Sequence, residues 1–356
     1  MRFLLDDEQR EFARSLDAML AAADTPSVVR AWAAGDHGPG TALWARLAEA
    51  GVFALAVPEA YGGVGPLPVE LAVAFTELGR HAVPGPVVET VAAAVLLADV
   101  GGPAAEEWLP RLASGAASAT LRTDGHGPYA LDADAVDAVF TVTGDELRLA
   151  PGPGVLSVSA DPARRLWRPA PGGELLASGP RVAGAAVRAA GWAAFVTAAQ
   201  ALGTGETLLR TTVEYVRQRT QFGTAIGSFQ AVKHRLADTL IGLEFARPLL
   251  YGAALALAGD APDAGARVAA AKVAAGEAGY AAARAALQLH GAVGYTQELD
   301  LALWLRKARP LRDAWGTPGA CRARVLADGP AASAARRPGQ PGPPGSPGGP
   351  SGGLAQ

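Results

Sequence analysis

Alanine-rich stretches with helical spacing dominate the second half of the 356-residue chain. Apolar residues on either side of the segment 217–229 keep to one helical face each, and two further helices are predicted at 263–290 and 298–313. So many small side chains favour close helix packing, as in a four-helix bundle. Pro248 should kink or split the second helix. The spacing therefore predicts a C-terminal helical bundle over residues 186–328.

Two different sequence patterns precede this bundle. Residues 1–115 carry apolar side chains at helical spacings, broken by the turn "PEAYGGVGP", and predict an N-terminal helical domain. Within 116–185, "DAVFTVTGDELRLA" predicts a hairpin around Thr-Gly-Asp, and "GVLSVSA" predicts another strand. Residues 329–356 are rich in Pro and Gly, have almost nothing to bury and are predicted to be a disordered tail. The expected fold class is mainly α with a middle β-domain, a small barrel or sandwich.

Composition excludes several functional classes. A formal net charge of -3 provides no general attraction to nucleic acid or to an anionic membrane. The apolar runs are too short and interrupted to predict a membrane span or a signal peptide. The single cysteine, Cys321, cannot form an internal disulfide, and His234 and His290 show no metal-ligand spacing. We therefore expect a cytoplasmic protein with no metal site.

Three segments carry a more specific signal. They are "LWARLAEAGVFALAVPEAYGGVG" at 43–65, "RQRTQFGTAIGSFQAVKHRLAD" at 217–238 and "QLHGAVGYTQELDLALWLRKAR" at 288–309. In this order and at these separations they resemble the acyl-CoA dehydrogenase family, from residue 3 to about 327. The resemblance implies FAD, an acyl thioester of coenzyme A or an acyl carrier protein, an electron-accepting flavoprotein, and assembly into dimers or tetramers. The implied reaction is α,β-desaturation in fatty acid metabolism.

The resemblance also implies which residues hold the nucleotide half of FAD. Arg219 and Gln221 would meet the pyrophosphate and the adjoining sugar, and Phe222 would pack on the adenine side. The remaining cofactor contacts that it implies are Phe229, Gln230, Gln288, Gly291, Ala292 and Thr317. The alternative for the turn is purely structural, with Arg219 a solvated charge at a helix end and Phe222 a core side chain.

The family's catalytic base is missing from its usual positions. An ungapped count places the usual Glu at Trp315, and a second position used in the family falls near Ala193. Neither side chain can remove a proton from carbon. Asp313 is the best local substitute, and Glu298 is a weaker one. The flavin-contacting run of the family's middle domain is also replaced, by "SATLRTDGHGPYALD".

Three hypotheses follow from this pattern. The first is a dehydrogenase subunit that grips the FAD of a neighbouring acyl-CoA dehydrogenase subunit, which supplies the base. The second is a self-sufficient homo-oligomer with Asp313 as a displaced base. The third is a non-catalytic relative that acts as a scaffold without flavin.

Overall fold

Helices make up the N-terminal third of the chain. The computed structural model describes residues 4–296 and 299–328. The first helices are α1 (Asp7–Ala21), α2 (Thr25–Ala33), α3 (Gly38–Glu49), α4 (Pro68–Arg80), α5 (Val87–Val100) and α6 (Gly102–Ala113). At the start of α1, Asp6 and Gln9 form a capping box in which each side chain accepts the other's backbone N–H. Helices α4 and α5 are buried on almost every side, which explains why their sequences lack a broad polar face.

Two small sheets form the middle of the chain. Their strands are β1 (Ala119–Thr123), β2 (Ala130–Leu131), β3 (Ala138–Thr143), β4 (Glu146–Leu149), β5 (Val155–Ser157), β6 (Leu166–Arg168) and β7 (Glu174–Ser178). One sheet has the order β1-β3-β4-β7, with β1 and β3 parallel, and the other has the order β2-β6-β5. The predicted hairpin is confirmed as β3–β4, which turns at Gly144 with φ +60°. The strand expected in "GVLSVSA" is β5.

The C-terminal part is a bundle of long helices. They are α7 (Pro180–Gln218), α8 (Gln230–Ala258), α9 (Ala264–His290), α10 (Leu301–Asp313) and α11 (Pro318–Asp328). Helix α9 packs against the other four, and α7 also packs on α4 and α5 of the N-terminal part. A short hairpin, β8 (Thr220–Gln221) and β9 (Thr224–Ala225), connects α7 to α8. Because α7 contacts both helical parts, it joins them through one shared core.

The α4–α7 crossing requires small residues. A Cβ on Gly79 would overlap the backbone carbonyl of Gln200, and one on Gly203 would overlap the carbonyl of Thr76. Glycine at both positions lets the two backbones approach more closely than any side chain would allow. The small residues noted in the sequence therefore set helix separation here.

Some details differ from the sequence-based expectations. Helix α8 runs through Pro248 without splitting, and α7 begins at Pro180 rather than at 186. Glu298 and the tail 329–356 lie outside the described residues. By length and composition alone, α7 and α8 could each cross a membrane, but 72% of the apolar window in α7 is buried, against 39% in α8. Helix α8 thus keeps an uncovered apolar surface.

Candidate functional site

The turn between α7 and α8 is a tight hairpin with two left-handed residues. Phe222 has φ +56° and Gly223 has φ +79°, and β8 pairs with β9 on either side of them. Successive positive φ values characterise a two-residue hairpin turn, where Asn-Gly is the usual sequence. A bulky phenylalanine in this conformation is an outlier. The chain therefore keeps Phe222 at the tip despite a local backbone cost.

The side chains of this hairpin face solvent. Phe222 is 92% exposed and Phe229 is 38% exposed, with their ring centroids 6.2 Å apart in an edge-on arrangement. Arg219, Gln221 and Gln230 are exposed as well. The structural alternative for the turn is wrong about Phe222, because this ring is not a core side chain. One solvent-exposed surface thus contains the Arg219 guanidinium, the amides of Gln221 and Gln230, and the rings of Phe222 and Phe229.

The end of α9 lies beside the two helices that the hairpin connects. The Arg235 guanidinium on α8 donates to Gln288 Oε1 at 2.6 Å. The His290 ring stacks on Tyr215 of α7 with centroids 4.1 Å apart, while His290 Nδ1 lies 2.8 Å from the carbonyl oxygen of Ala286. These contacts hold the segment that contains Gln288 against the end of α7 from which the hairpin starts.

The backbone that follows α9 is also exposed and extends the surface formed by the hairpin. Gly291 follows the helix with φ +64°, and a Cβ built there would meet no atom within 4 Å. Ala292 is exposed. The N-cap residue of α8, Phe229, provides no side-chain acceptor, which leaves the first N–H groups of α8 without side-chain partners. The hairpin, the start of α8 and the end of α9 therefore combine exposed donors with the positive end of a helix dipole.

The indole of Trp315 occupies the position expected for the catalytic base. Trp315 Nε1 donates to Glu89 Oε1 at 3.0 Å, and Glu89 on α5 is 3% exposed. Asp313 is exposed and lies 4.0 Å from Arg312, and Ala193 is buried inside α7. The Thr317 hydroxyl accepts the backbone N–H of Ala320 at the start of α11. Thr317 therefore acts as a helix cap in this chain.

The middle strands do not present the usual polar groups to a ligand. Thr120 and Thr123 are buried within β1, and their hydroxyls have no hydrogen-bond partner among the described residues. Asp124 accepts the backbone N–H of Gly144 at 2.8 Å and pairs with Arg122 at 2.9 Å. Asp124 therefore holds the β3–β4 turn and pairs with Arg122 of β1.

Family comparisons agree with this architecture. Residues 6–116 match the model described as acyl-CoA dehydrogenase, N-terminal domain, and residues 183–327 match acyl-CoA dehydrogenase, C-terminal domain. The chain belongs to the acyl-CoA dehydrogenase family. The expected fold class is thereby confirmed, and the family's reaction class is oxidation of CH–CH bonds in acyl thioesters.

Individual relatives cover nearly the whole chain. Acyl-CoA dehydrogenase IpdE2 of Mycobacterium tuberculosis is 37% identical over 308 residues, which is 85% of this chain and 91% of that protein. A variant of the Tcur3481-Tcur3483 steroid ACAD superimposes with a TM-score of 0.79 at 25% identity, covering 91% and 99% of the two chains. The ChsE4-ChsE5 complex of Mycobacterium tuberculosis gives a TM-score of 0.74 at 24% identity, covering 95% and 100%.

The two ends of the implied cofactor fit this chain differently. At the nucleotide end, the exposed rings and donors around Arg219 suit a pyrophosphate and an adenine. At the flavin-ring end, Trp315, the residue at the position expected for the base, is hydrogen-bonded to Glu89, and the β1 hydroxyls are buried. The chain therefore suits one half of an FAD site.

Sequence reasoning missed Glu89 and a second polar cluster. Arg80 donates to Glu77 at 2.6 Å and to Glu206 at 2.7 Å. The cluster borders a cavity of about 920 Å³ between α1, α2, α4, α7 and α10, where His81 Nε2 lies 2.7 Å from Asp17 Oδ1. A lone charge inside an apolar run, as in "VVETVAAAVLL", is the signal that could have identified Glu89.

Proposed function

We propose that this chain is a subunit of an FAD-dependent acyl-thioester dehydrogenase whose catalytic base belongs to a partner subunit. Its own contribution is to hold the nucleotide half of the partner's FAD. The bound flavin would accept the hydride that leaves the β-carbon and pass electrons to an electron-accepting flavoprotein. Arg219 would bind the pyrophosphate, and Phe222 would stack on the adenine. The other contacts proposed are Gln221, Phe229, Gln230, Gln288, Gly291 and Ala292.

The conformation of Phe222 carries this proposal. An aromatic ring that is 92% exposed and also has φ +56° gains almost nothing within this chain. Such strain is retained where it serves a function. No described residue buries the Phe222 ring at the hairpin tip, so a surface from another subunit would be the one that covers it. A nucleotide held mainly by another subunit supplies that surface.

An apolar stripe on α8 supports assembly with a second subunit. The stripe consists of Leu240, Ile241, Phe245 and Leu249, whose exposed fractions are 48%, 50%, 71% and 46%. It begins about three turns into α8, the helix that follows the hairpin, so one partner could cover both features. Large contiguous apolar surfaces of this kind mark protein–protein interfaces. Two similar structures, the Tcur3481-Tcur3483 ACAD and the ChsE4-ChsE5 complex, carry paired names, which favours a partner that differs from this chain.

Arg219→Ala tests the proposal in the complex purified with its partner. A charge-assisted contact to a phosphate contributes about 1.5–3 kcal/mol, so FAD should dissociate about 10- to 150-fold more readily. Flavin absorbance after gel filtration measures the retained cofactor. The matched control is Arg210→Ala, because Arg210 lies on α7, the helix that ends just before Arg219, and its side chain is 67% exposed beside Glu214.

Three outcomes separate the hypotheses. Equal flavin retention in Arg219→Ala and wild type would show that the hairpin does not hold the cofactor. Stoichiometric flavin and full turnover from this chain alone would show that it is a self-sufficient enzyme. Loss of that turnover in Asp313→Asn would then identify Asp313 as its base. Absence of flavin from both the chain and the complex would leave the scaffold hypothesis.

A further inference from the structure

Three side chains of metal-ligating types gather where α1 packs on α4. Asp17 lies on α1, Glu77 lies in the last turn of α4, and His81 is the residue that follows this helix. One carboxylate oxygen or imidazole nitrogen from each lies within 4.8 Å of those from the other two. Glu77 and His81 are one helical turn apart and share a face of α4. Asp17 and His81 are 64 positions apart, so only the packing of α1 on α4 completes the group.

Glu77 contributes an oxygen that the chain leaves unsatisfied. Its side chain is only 4% exposed. Glu77 Oε1 accepts from the Arg80 guanidinium at 2.6 Å, whereas Oε2 is buried and has no hydrogen-bond partner among the described residues. Burial raises the pKa of Glu77, and the charge of Arg80 opposes this shift. Because a buried charge is costly unless it is paired or coordinates a metal, Oε2 is a position at which a cation would be stabilised.

The group borders the cavity of about 820–1,000 Å³ class that lies between the N-terminal helices and the bundle, at about 920 Å³. All three side chains line this cavity, which gives water and ions a route to the ligand atoms. Three arginines that line it as well are already paired with carboxylates: Arg14 with Glu11, Arg80 with Glu77 and Glu206, and Arg210 with Glu214. The carboxylates of Asp17 and Glu77 thus face one guanidinium that Glu206 shares, and this balance of charge favours a cation.

The end of α4 that carries the group is held by its neighbours. The carbonyl oxygen of Arg80 accepts from Trp304 Nε1 at 2.9 Å and from Thr207 Oγ1 at 2.9 Å. The Arg80 side chain also joins Glu77 to Glu206 of α7. Ligands of metal sites are oriented by hydrogen bonds of this kind. The backbone before His81 and the carboxylate of Glu77 are therefore fixed before any ion binds.

We propose that Asp17, Glu77 and His81 bind one divalent first-row transition-metal ion, which ties α1 to α4. An imidazole nitrogen with two carboxylate oxygens suits this class of ion, whereas magnesium and calcium prefer oxygen ligands alone. His81 Nε2 and Asp17 Oδ1 are 2.7 Å apart, and adjacent ligands that are each about 2.1 Å from one ion lie about 3 Å apart. The ion would replace the direct contact of these two atoms, and water from the cavity would complete its coordination.

This site departs from the sequence-based expectation of no metal site. That expectation considered the spacing of His234 and His290, whereas the ligands proposed here come together only in the folded chain. None of the three belongs to the contacts proposed for FAD, so the metal site and the proposed function stand or fall separately.

Calorimetric titration of the full chain with zinc chloride, after removal of metals with EDTA and then of EDTA by gel filtration, tests the site. We expect wild type to bind one equivalent in a saturable transition. Asp17→Asn and Glu77→Gln should each weaken binding by at least about 100-fold, because the loss of a group that merely orients a ligand already costs about 10- to 100-fold. Glu77→Gln keeps an oxygen that can accept from Arg80, which separates lost coordination from lost packing.

Cobalt(II) in place of zinc identifies the nitrogen ligand, because the visible absorption of bound cobalt depends on its ligands. His81→Gln should abolish or shift these bands. The matched control is His234→Gln, an exposed change on α8 that should leave both the cobalt spectrum and zinc binding as in wild type. The Asp17 side chain is 59% exposed, so Asp17→Asn keeps the test decisive even if a change at the buried Glu77 prevents folding.

Three results would overturn the proposal. The first is a wild-type chain that shows no saturable binding of zinc. The second is equally tight binding by wild type, Asp17→Asn and His81→Gln, which would mark an adventitious ion only. The third concerns the tie between the helices: saturating zinc should raise the Tm of wild type but not that of His81→Gln, and an unchanged Tm in wild type would show that no ion stabilises the packing of α1 on α4.

Discussion

Replacing Phe222 with asparagine should stabilise the isolated chain while weakening its hold on FAD. The left-handed conformation costs a bulky residue about 1–2 kcal/mol, and asparagine tolerates it far better. Phe222 is 92% exposed, so the apolar burial lost is only about 0.2 kcal/mol out of the 1.5–3 kcal/mol for a fully buried ring. The edge-on contact with Phe229 offsets part of the gain. The net change should be about 0.5–1 kcal/mol in favour of the variant.

In the complex with a partner, we expect Phe222→Asn to weaken the retention of FAD, although it stabilises the free chain. Stacking of an aromatic ring on a base contributes about 1–3 kcal/mol, so FAD retention should fall about 5- to 150-fold. Urea denaturation of the free chain, followed by far-ultraviolet circular dichroism, measures the first effect. Flavin retention by the complex measures the second. Opposite signs in one variant cannot arise from a general loss of structure.

Phe222→Leu is the control for this pair of measurements. It keeps a branched apolar side chain in the strained conformation but removes the ring, so the free chain should gain no stability while FAD retention still falls. An asparagine variant that is less stable than wild type, or one that retains flavin as tightly, would refute the argument that Phe222 exists for a partner's nucleotide.

Two further perturbations probe other parts of the structure. Burial raises the pKa of Asp132 from 3.8 to about 7. The unfolded chain therefore ionises first, and stability falls as the pH rises across that window. Asp132→Asn should remove this loss of stability. The urea midpoint of the variant, measured relative to wild type, should therefore be higher at about pH 8 than at about pH 4. An equal difference at the two pH values would contradict the raised pKa of Asp132. Phe245→Asp should separate the subunits in light scattering, whereas Leu326→Asp, a control at a leucine that is 81% exposed on α11, should not. An intact assembly with Phe245→Asp would show that the α8 stripe is not the interface.

Several elements of the fold were predictable because their signals are local. The hairpin β3–β4 shows in the alternation of "DAVFTVTGDELRLA", and the bundle helices show in apolar spacing over a few turns. The packing of the segment around Gln288 against the helices that flank the hairpin was expected only through the family resemblance. Pro248 was expected to kink or split its helix, and of these two outcomes the split is wrong, since α8 runs through Pro248 without a break. The bundle keeps α8 continuous where isolated-helix preferences predict a break.

The sequence by itself determined the order of helices and strands, the family segments and the presence of a tryptophan at position 315. These properties depend on residue identity and on spacings of a few residues. Only the tertiary structure decided that Phe222 is exposed in a left-handed turn and that Trp315 bonds to Glu89, 226 positions away in the chain. Contacts over such separations leave no periodic trace in a sequence, because they arise when whole helices pack and bring distant side chains together.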